Sequence, residues 1–254
     1  MEMKNRVAIV TGAGQGIGNA IALRFVEKGI RVTIAEIDEE AGKEAAQQLE
    51  NLGDVLYVPT DVADDGQVQK MVSETLQKWG RVDFLVNNAG IAQAHGPAVT
   101  DLALDRWNRI LAVNLTGIFL CTKYTSSHLK AQHGAIVNIA STRAFMSEGN
   151  TEAYAASKGG VVALTHALAI SLGPEVRVNC VSPGWIDVSE WKKHSIRKKA
   201  EHTPEDHAQH PVGRIGRPED VATLAFFLIS SESGFVTGAN FIVDGGMTRK
   251  MHYI

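Results

Sequence analysis

Apolar residues in this chain fall into short runs separated by longer stretches in which they recur every three or four positions. The runs are residues 7–10, 32–35, 55–58, 84–86, 135–139, 176–181 and 241–243. Runs this short, with little polar alternation, predict strands buried on both faces. Between them, residues 19–28, 39–51, 67–79, 106–129, 155–172 and 219–229 carry the helical period. Strand and helix therefore alternate along the sequence. The pattern predicts an α/β fold: a doubly wound parallel sheet of about seven strands with helices on both faces, because right-handed crossovers return the chain through helices.

No Pro/Gly/Ser-rich linker, low-complexity tract or internal repeat divides the sequence, so a single domain over residues 1–254 is expected. Residues 187–210 break the alternation with a polar stretch too long for an ordinary connection. Segments of that kind usually serve as lids or binding loops, which predicts a substrate lid beside the active site.

Composition removes several classes of function. Hydrophobic residues make up 44% and charged residues 21%, close to a globular average, so disorder and fibrous architecture are disfavoured. The net charge of −3 is mild, and the basic group Lys192, Lys193, Arg197, Lys198 and Lys199 is local, which argues against a nucleic-acid partner. Cys121 and Cys180 belong to no CxxC pair, so no metal site is expected, and a reducing compartment follows. No run approaches the roughly 18 apolar residues of a membrane span. The first five residues lack the apolar core of a secretory signal, so no membrane partner and a cytoplasmic location are expected.

The first strand runs into Thr11-Gly12-Ala13-Gly14-Gln15-Gly16-Ile17-Gly18 and then a helix. Glycines there let the backbone turn tightly and approach a pyrophosphate, while the helix start offers free N–H groups and the positive end of its dipole. The spacing is GxxxGxG through Gly12, Gly16 and Gly18, not GxGxxG, and glycine-rich turns also occur for structural reasons alone. Glu36 closes the second strand twenty residues after Gly16, an offset suited to a carboxylate that accepts from adenosine ribose hydroxyls. A solvated acid is the other reading, since Asp38, Glu39 and Glu40 follow at a helix start.

Tyr154 and Lys158 stand four apart on the residue 155–172 helix and its approach, so they share a side of it. A phenol is a poor base near neutrality, and a nearby cation lowers its pKa by stabilising the phenolate. Two pKa units require about 2.7 kcal/mol of differential interaction. Such a pair also arises by chance.

Taken together with Asn87-Asn88-Ala89-Gly90, Asn114, Ser141 and Pro183-Gly184, in that order, these motifs closely resemble the short-chain dehydrogenase/reductase family, from about Arg6 to Asp244-Gly245-Gly246. The resemblance implies a Rossmann-type fold, an oxidoreductase, and a homotetramer built on long helices. It implies that Tyr154 is the general acid/base, that Lys158 lowers its pKa and binds nicotinamide ribose, and that Ser141, thirteen residues before Tyr154, orients the substrate oxygen. Asn114 would hold a water linking Lys158 to solvent, although a structural asparagine satisfying helix carbonyls fits its residue type. Gly12, Gln15, Gly16, Ile17 and Gly18 would cradle the pyrophosphate. Asp61 and Val62 would contact the adenine, Asn88, Ala89 and Gly90 would lie along the cofactor, and Pro183, Gly184 and Ile186 would meet the nicotinamide end. Asp61 also suits a helix cap. One position departs from the family: Val188 stands four residues after Gly184 where a threonine is usual, with Ser189 as a substitute.

Glu36 favours NAD as cofactor, because its carboxylate would repel a 2′-phosphate and no arginine follows it. The substrate pocket is expected to include His95, Ser141, Arg143, Glu148, Asn150, Tyr154, Trp185 and, from the lid, Trp191. Most of these carry hydrogen-bonding groups, which predicts a small polar small-molecule substrate, a sugar or polyol before a steroid or long acyl chain. Two alternatives stay open: an NADPH-dependent 3-ketoacyl carrier protein reductase, and a non-catalytic dinucleotide-binding protein.

Overall fold

The computed structural model describes residues 3–251. Seven strands form one parallel sheet: β1 (Val7–Thr11), β2 (Arg31–Glu36), β3 (Val55–Pro59), β4 (Phe84–Asn87), β5 (Ala135–Ile139), β6 (Arg177–Pro183) and β7 (Asn240–Val243). Their order is β3-β2-β1-β4-β5-β6-β7. The helices are α1 (Gly16–Glu27), α2 (Glu39–Glu50), α3 (Asp65–Trp79), α4 (Leu104–Leu111), α5 (Gly117–Ala131), α6 (Glu152–Leu172), α7 (Pro204–Ala208) and α8 (Pro218–Ile229). The doubly wound α/β reading holds.

Side chains alternate across the sheet and build two cores. Ala8, Val10, Phe84, Val86, Val137 and Ile139 pack on one face with Ile21 and Phe25 of α1 and with Val221, Ala225 and Leu228 of α8. Ile9, Leu85, Ile136 and Val178 pack on the other face with Met71 of α3 and with Cys121 and Leu129 of α5. This is why the strands read as unbroken apolar runs: both faces are covered. Each fully buried Ile or Phe contributes about 1.5–3 kcal/mol. Phe25 and Phe226 meet edge to face at 6.3 Å and tie α1 to α8.

One expectation needs correction. Residues 106–129 are not one helix: a π-helical turn, Ala112–Thr116, separates α4 from α5. Residues 187–210 are largely irregular, with two 3-10 turns and the short α7. α6 has the length and apolar composition of a membrane span, yet it buries Ser157, Lys158 and Thr165 and packs against β6.

The strand order reverses between β1 and β4, so the chain leaves their C-terminal ends in opposite directions. A crevice opens where the connections diverge, the usual ligand position in such sheets.

Candidate active site

A cleft of about 520 Å³ occupies that crevice. One end is lined by Glu36, Ile37, Asp61 and Val62, and the other by Ser141, Tyr154 and Trp185. The glycine turn forms its floor. Gly12 and Gly16 have φ of +63° and +62°, a left-handed conformation that costs glycine little. A Cβ at Gly12 would lie 2.8 Å from the Ala89 Cα, and one at Gly18 would overlap the Gly12 carbonyl. Gly18 therefore packs the turn against α1 rather than facing the cleft.

The turn is tied to β4 by hydrogen bonds. Asn88 Nδ2 donates to the carbonyls of Thr11 and Gly12 at 2.9 and 3.0 Å. The Asn88 and Ala89 N–H groups donate to Thr11 Oγ1, each at 3.0 Å. Glu36 is buried at the end of β2, where one carboxylate oxygen accepts from Gly14 N and the other from Asp38 N, both at 3.1 Å. Asp61 accepts from Ala63 N at 3.0 Å and pairs with Arg109 at 2.8 Å on the cleft wall; the helix-cap reading fails, because Asp64 caps α3 by accepting from Gln67 N.

At the opposite end, α6 carries Tyr154 and Lys158 on one side. Lys158 Nζ donates to the Ile139 carbonyl at 2.9 Å and lies 5.7 Å from the centre of the Tyr154 ring. Burial pulls the Lys158 pKa down to about 8. Burial also raises the Tyr154 phenol, opposed by a hydrogen bond from Ser141 and by the Arg143 charge. In the protein alone, desolvation outweighs both. Ser141 sits at the end of β5, where its Oγ accepts from Arg143 N at 3.1 Å.

Asn114 lies behind this group, fully buried in the π-helical turn. Its Oδ1 accepts from Ile91 N at 2.7 Å, and its Nδ2 donates to Ser157 Oγ at 3.1 Å and to the Ile91 carbonyl at 3.3 Å. The amide is thus committed to holding the strand β4 exit against α6. Gly90 passes between it and the cleft: a Cβ there would meet Asn114 Oδ1 at 3.2 Å and Lys158 Nζ at 3.7 Å.

Gly12, Gln15, Gly16, Ile17, Glu36, Asp61, Val62, Asn88, Ala89, Gly90, Ser141, Tyr154, Lys158, Pro183, Gly184, Trp185 and Ile186 all line the cleft. Five residues expected in the substrate pocket do not. His95, Arg143 and Glu148 satisfy one another outside its wall, with Glu148 held by His95 at 2.7 Å and by Arg143 at 2.6 Å. Asn150 takes φ +62° and accepts from Gly96 N through its carbonyl at 2.7 Å. Trp191 turns its apolar ring into the core beside α1.

The lid meets the cleft through Val188 and Lys192. Val188 Cγ1 lies 3.6 Å from where a Gly16 Cβ would be. The sequence reading missed Ile91, Ala92, Arg109 and Lys192, which also line the wall. Lys192 was visible only as part of a basic run, a pattern that reads as a solvated face.

The residues present fit a dinucleotide. Backbone N–H groups at the start of α1 face an open floor, α1 has no acid in its first turn, and the buried Gln15 Oε1 has no partner among the described residues. Comparison with known proteins agrees. The family model described as enoyl-(acyl carrier protein) reductase matches residues 12–248. An uncharacterized oxidoreductase of Thermotoga maritima is 54% identical, with 99% of each chain covered. The meso-2,3-butanediol dehydrogenase of Serratia marcescens is 37% identical over 98% of this chain and 96% of its own. The 3-oxoacyl-[acyl-carrier-protein] reductase of Chlamydia muridarum is 38% identical over 96% of this chain and 97% of its own. The chain belongs to the short-chain dehydrogenase/reductase family, oxidoreductases that act on CH–OH groups with a nicotinamide dinucleotide.

Proposed function

We propose that this protein is an NAD(H)-dependent oxidoreductase that interconverts a secondary alcohol and a ketone on a small polar substrate, with a sugar or polyol favoured. The convergence of Ser141, Tyr154 and Lys158 at one end of a cleft that carries Glu36 at its other end is the observation behind this reading. A bound nicotinamide dinucleotide supplies the acceptor or donor of the two electrons that travel with the carbinol hydrogen. Glu36 would hold its adenosine ribose, Asp61 and Val62 its adenine, and Ile186 its nicotinamide end. In the oxidation direction the substrate hydroxyl proton passes to the Tyr154 oxygen, and in reduction the phenol returns it. Ser141 hydrogen-bonds the same substrate oxygen. The Lys158 ammonium stabilises the phenolate formed between turnovers.

NAD is favoured by the pinned Glu36 carboxylate, which presents a like charge to any 2′-phosphate and is followed by Ile37. The polar substrate is favoured by the Ser141 and Tyr154 hydroxyls at the catalytic end of the cleft and by the name of the butanediol relative. Ile91, Ala92 and Trp185 on the wall would then seat the carbon skeleton. The rival reading, NADPH-dependent reduction of carrier-bound 3-ketoacyl groups, draws on the family description and the Chlamydia relative.

Steady-state rates with NAD and NADP across polyols, sugars, steroids, aliphatic alcohols and a 3-ketoacyl thioester test both parts. Polyols or sugars with NAD should give the highest kcat/KM, and Glu36→Ala should narrow the cofactor preference. Equal or better turnover with NADP overturns the cofactor assignment. A clear advantage for steroids, long chains or the thioester overturns the substrate class.

A further inference from the structure

We propose that Lys192 is a phosphate-binding residue of the dinucleotide site, carried by the lid to the pyrophosphate above the glycine turn. The inference rests on the dinucleotide occupying the cleft. Three cations line that cleft, and two are engaged: Arg109 pairs with Asp61 at 2.8 Å, and Lys158 donates to the Ile139 carbonyl at 2.9 Å. Lys192 has no side-chain partner among the described residues, although it is partly buried on the same wall.

Its backbone is fixed from both sides. Upstream, Trp191 is packed into the core beside α1, and Val188 abuts Gly16. Downstream, Lys193 Nζ pairs with Asp38 at 2.8 Å and with Glu40 at 2.7 Å. The Lys192 carbonyl accepts from Arg197 Nε at 2.9 Å, and the same guanidinium holds Glu44 at 2.9 Å. His194 N donates to Glu44 at 2.8 Å, so the strap is sewn onto α2 at three points. Lys192 thus stands between the glycine turn and the start of α2 on a stem that binding does not have to order.

The site needs such a charge. Residues 11–18 contain no lysine or arginine, and Val188 offers the floor a methyl group instead of a hydroxyl. Backbone N–H groups and a helix dipole equivalent to about half a charge would otherwise face a doubly charged pyrophosphate alone. The 2′ side of the ribose is the less suitable target, because the Glu36 carboxylate is held there by Gly14 and Asp38.

Calorimetric titration of the intact protein with ADP-ribose, 2′-phospho-ADP-ribose and adenosine tests the assignment. Lys192→Met should weaken ADP-ribose about tenfold, as loss of a charged hydrogen bond does. It should weaken 2′-phospho-ADP-ribose by the same factor and leave adenosine unchanged. Lys192→Arg should restore ADP-ribose affinity to within about threefold. Lys199→Met, which removes the same charge from an exposed part of the lid, should change nothing. Equal ADP-ribose affinity in Lys192→Met and wild type overturns the assignment, as does a loss confined to the 2′-phosphorylated ligand. Wild-type protein that fails to bind ADP-ribose overturns the dinucleotide reading itself.

Discussion

Tyr154 and Lys158 show how burial sets what each residue can do. The sequence suggested a lysine that lowers a tyrosine's pKa, but in the protein alone burial raises the phenol and pulls the ammonium down to about 8. The cation is therefore costly to the fold. An unfolded lysine titrates near 10.5, so below pH 8 both states are protonated and the folded state bears the full cost. Between pH 8 and 10.5 the folded state sheds its proton first, and stability rises with pH. The shift corresponds to a cost on the order of 3 kcal/mol. Lys158→Met should then stabilise the protein at pH 7 by about 1 to 3 kcal/mol, with the gain fading by pH 10.5, while turnover is lost. Urea melts across that pH range measure this, and a less stable variant at pH 7 contradicts it. Tyr154→Phe removes only the proton-transfer group. It should lower kcat by at least about a hundredfold and leave NADH affinity, read by fluorescence, within twofold.

Among the elements, strands and the glycine turn were legible because local chemistry alone dictates them. Runs such as Val7 to Val10 are apolar on both sides of the pleat, and Gly12 and Gly16 take a conformation that few other residues tolerate. Ser141, Tyr154 and Lys158 were legible through order and spacing. The pocket rim was not, because it depends on which partners side chains choose. His95, Arg143 and Glu148 neutralise one another, Trp191 is drawn into apolar surroundings, and Lys192 is delivered by pairs that span from residue 193 to residues 38 and 40. The π-helical turn was hidden for a similar reason, since an uninterrupted apolar period masks one wider turn. Asn114 within it makes three hydrogen bonds, one of which satisfies the Ile91 N–H. Asn114→Ala should destabilise the protein by about 1 to 3 kcal/mol, the cost of leaving buried groups unpaired. A change below half a kcal/mol in chemical denaturation would count against that positioning role.

At the scale of the whole molecule, the parallel sheet separates chemistry from anchorage. Every strand points the same way, so the cleft collects the C-terminal ends of β1 to β6, and the N-terminal ends are left to hold the sheet together. Asp83, just before β4, is the centre of that opposite edge and is almost completely buried. It accepts from Arg6 Nη1 at 2.6 Å, from Val7 N at 2.9 Å, and from Arg81 Nε and Nη2 at 2.8 and 2.6 Å. One carboxylate thus ties the starts of β1 and β4 together, with two arginines that still reach solvent. Removing one member of a fully buried pair costs about 3–5 kcal/mol, and the solvent access of these arginines brings the expected loss for Asp83→Asn to about 2 to 3. Four residues of strand separate Asp83 from the cleft end of β4, a distance of about 13 Å at 3.3 Å per residue. The variant should therefore melt earlier yet keep kcat/KM and ADP-ribose affinity within about twofold at temperatures where it stays folded. A large loss of either at full foldedness would show that the two edges of the sheet are coupled, and the division of labour drawn from the strand directions would fail.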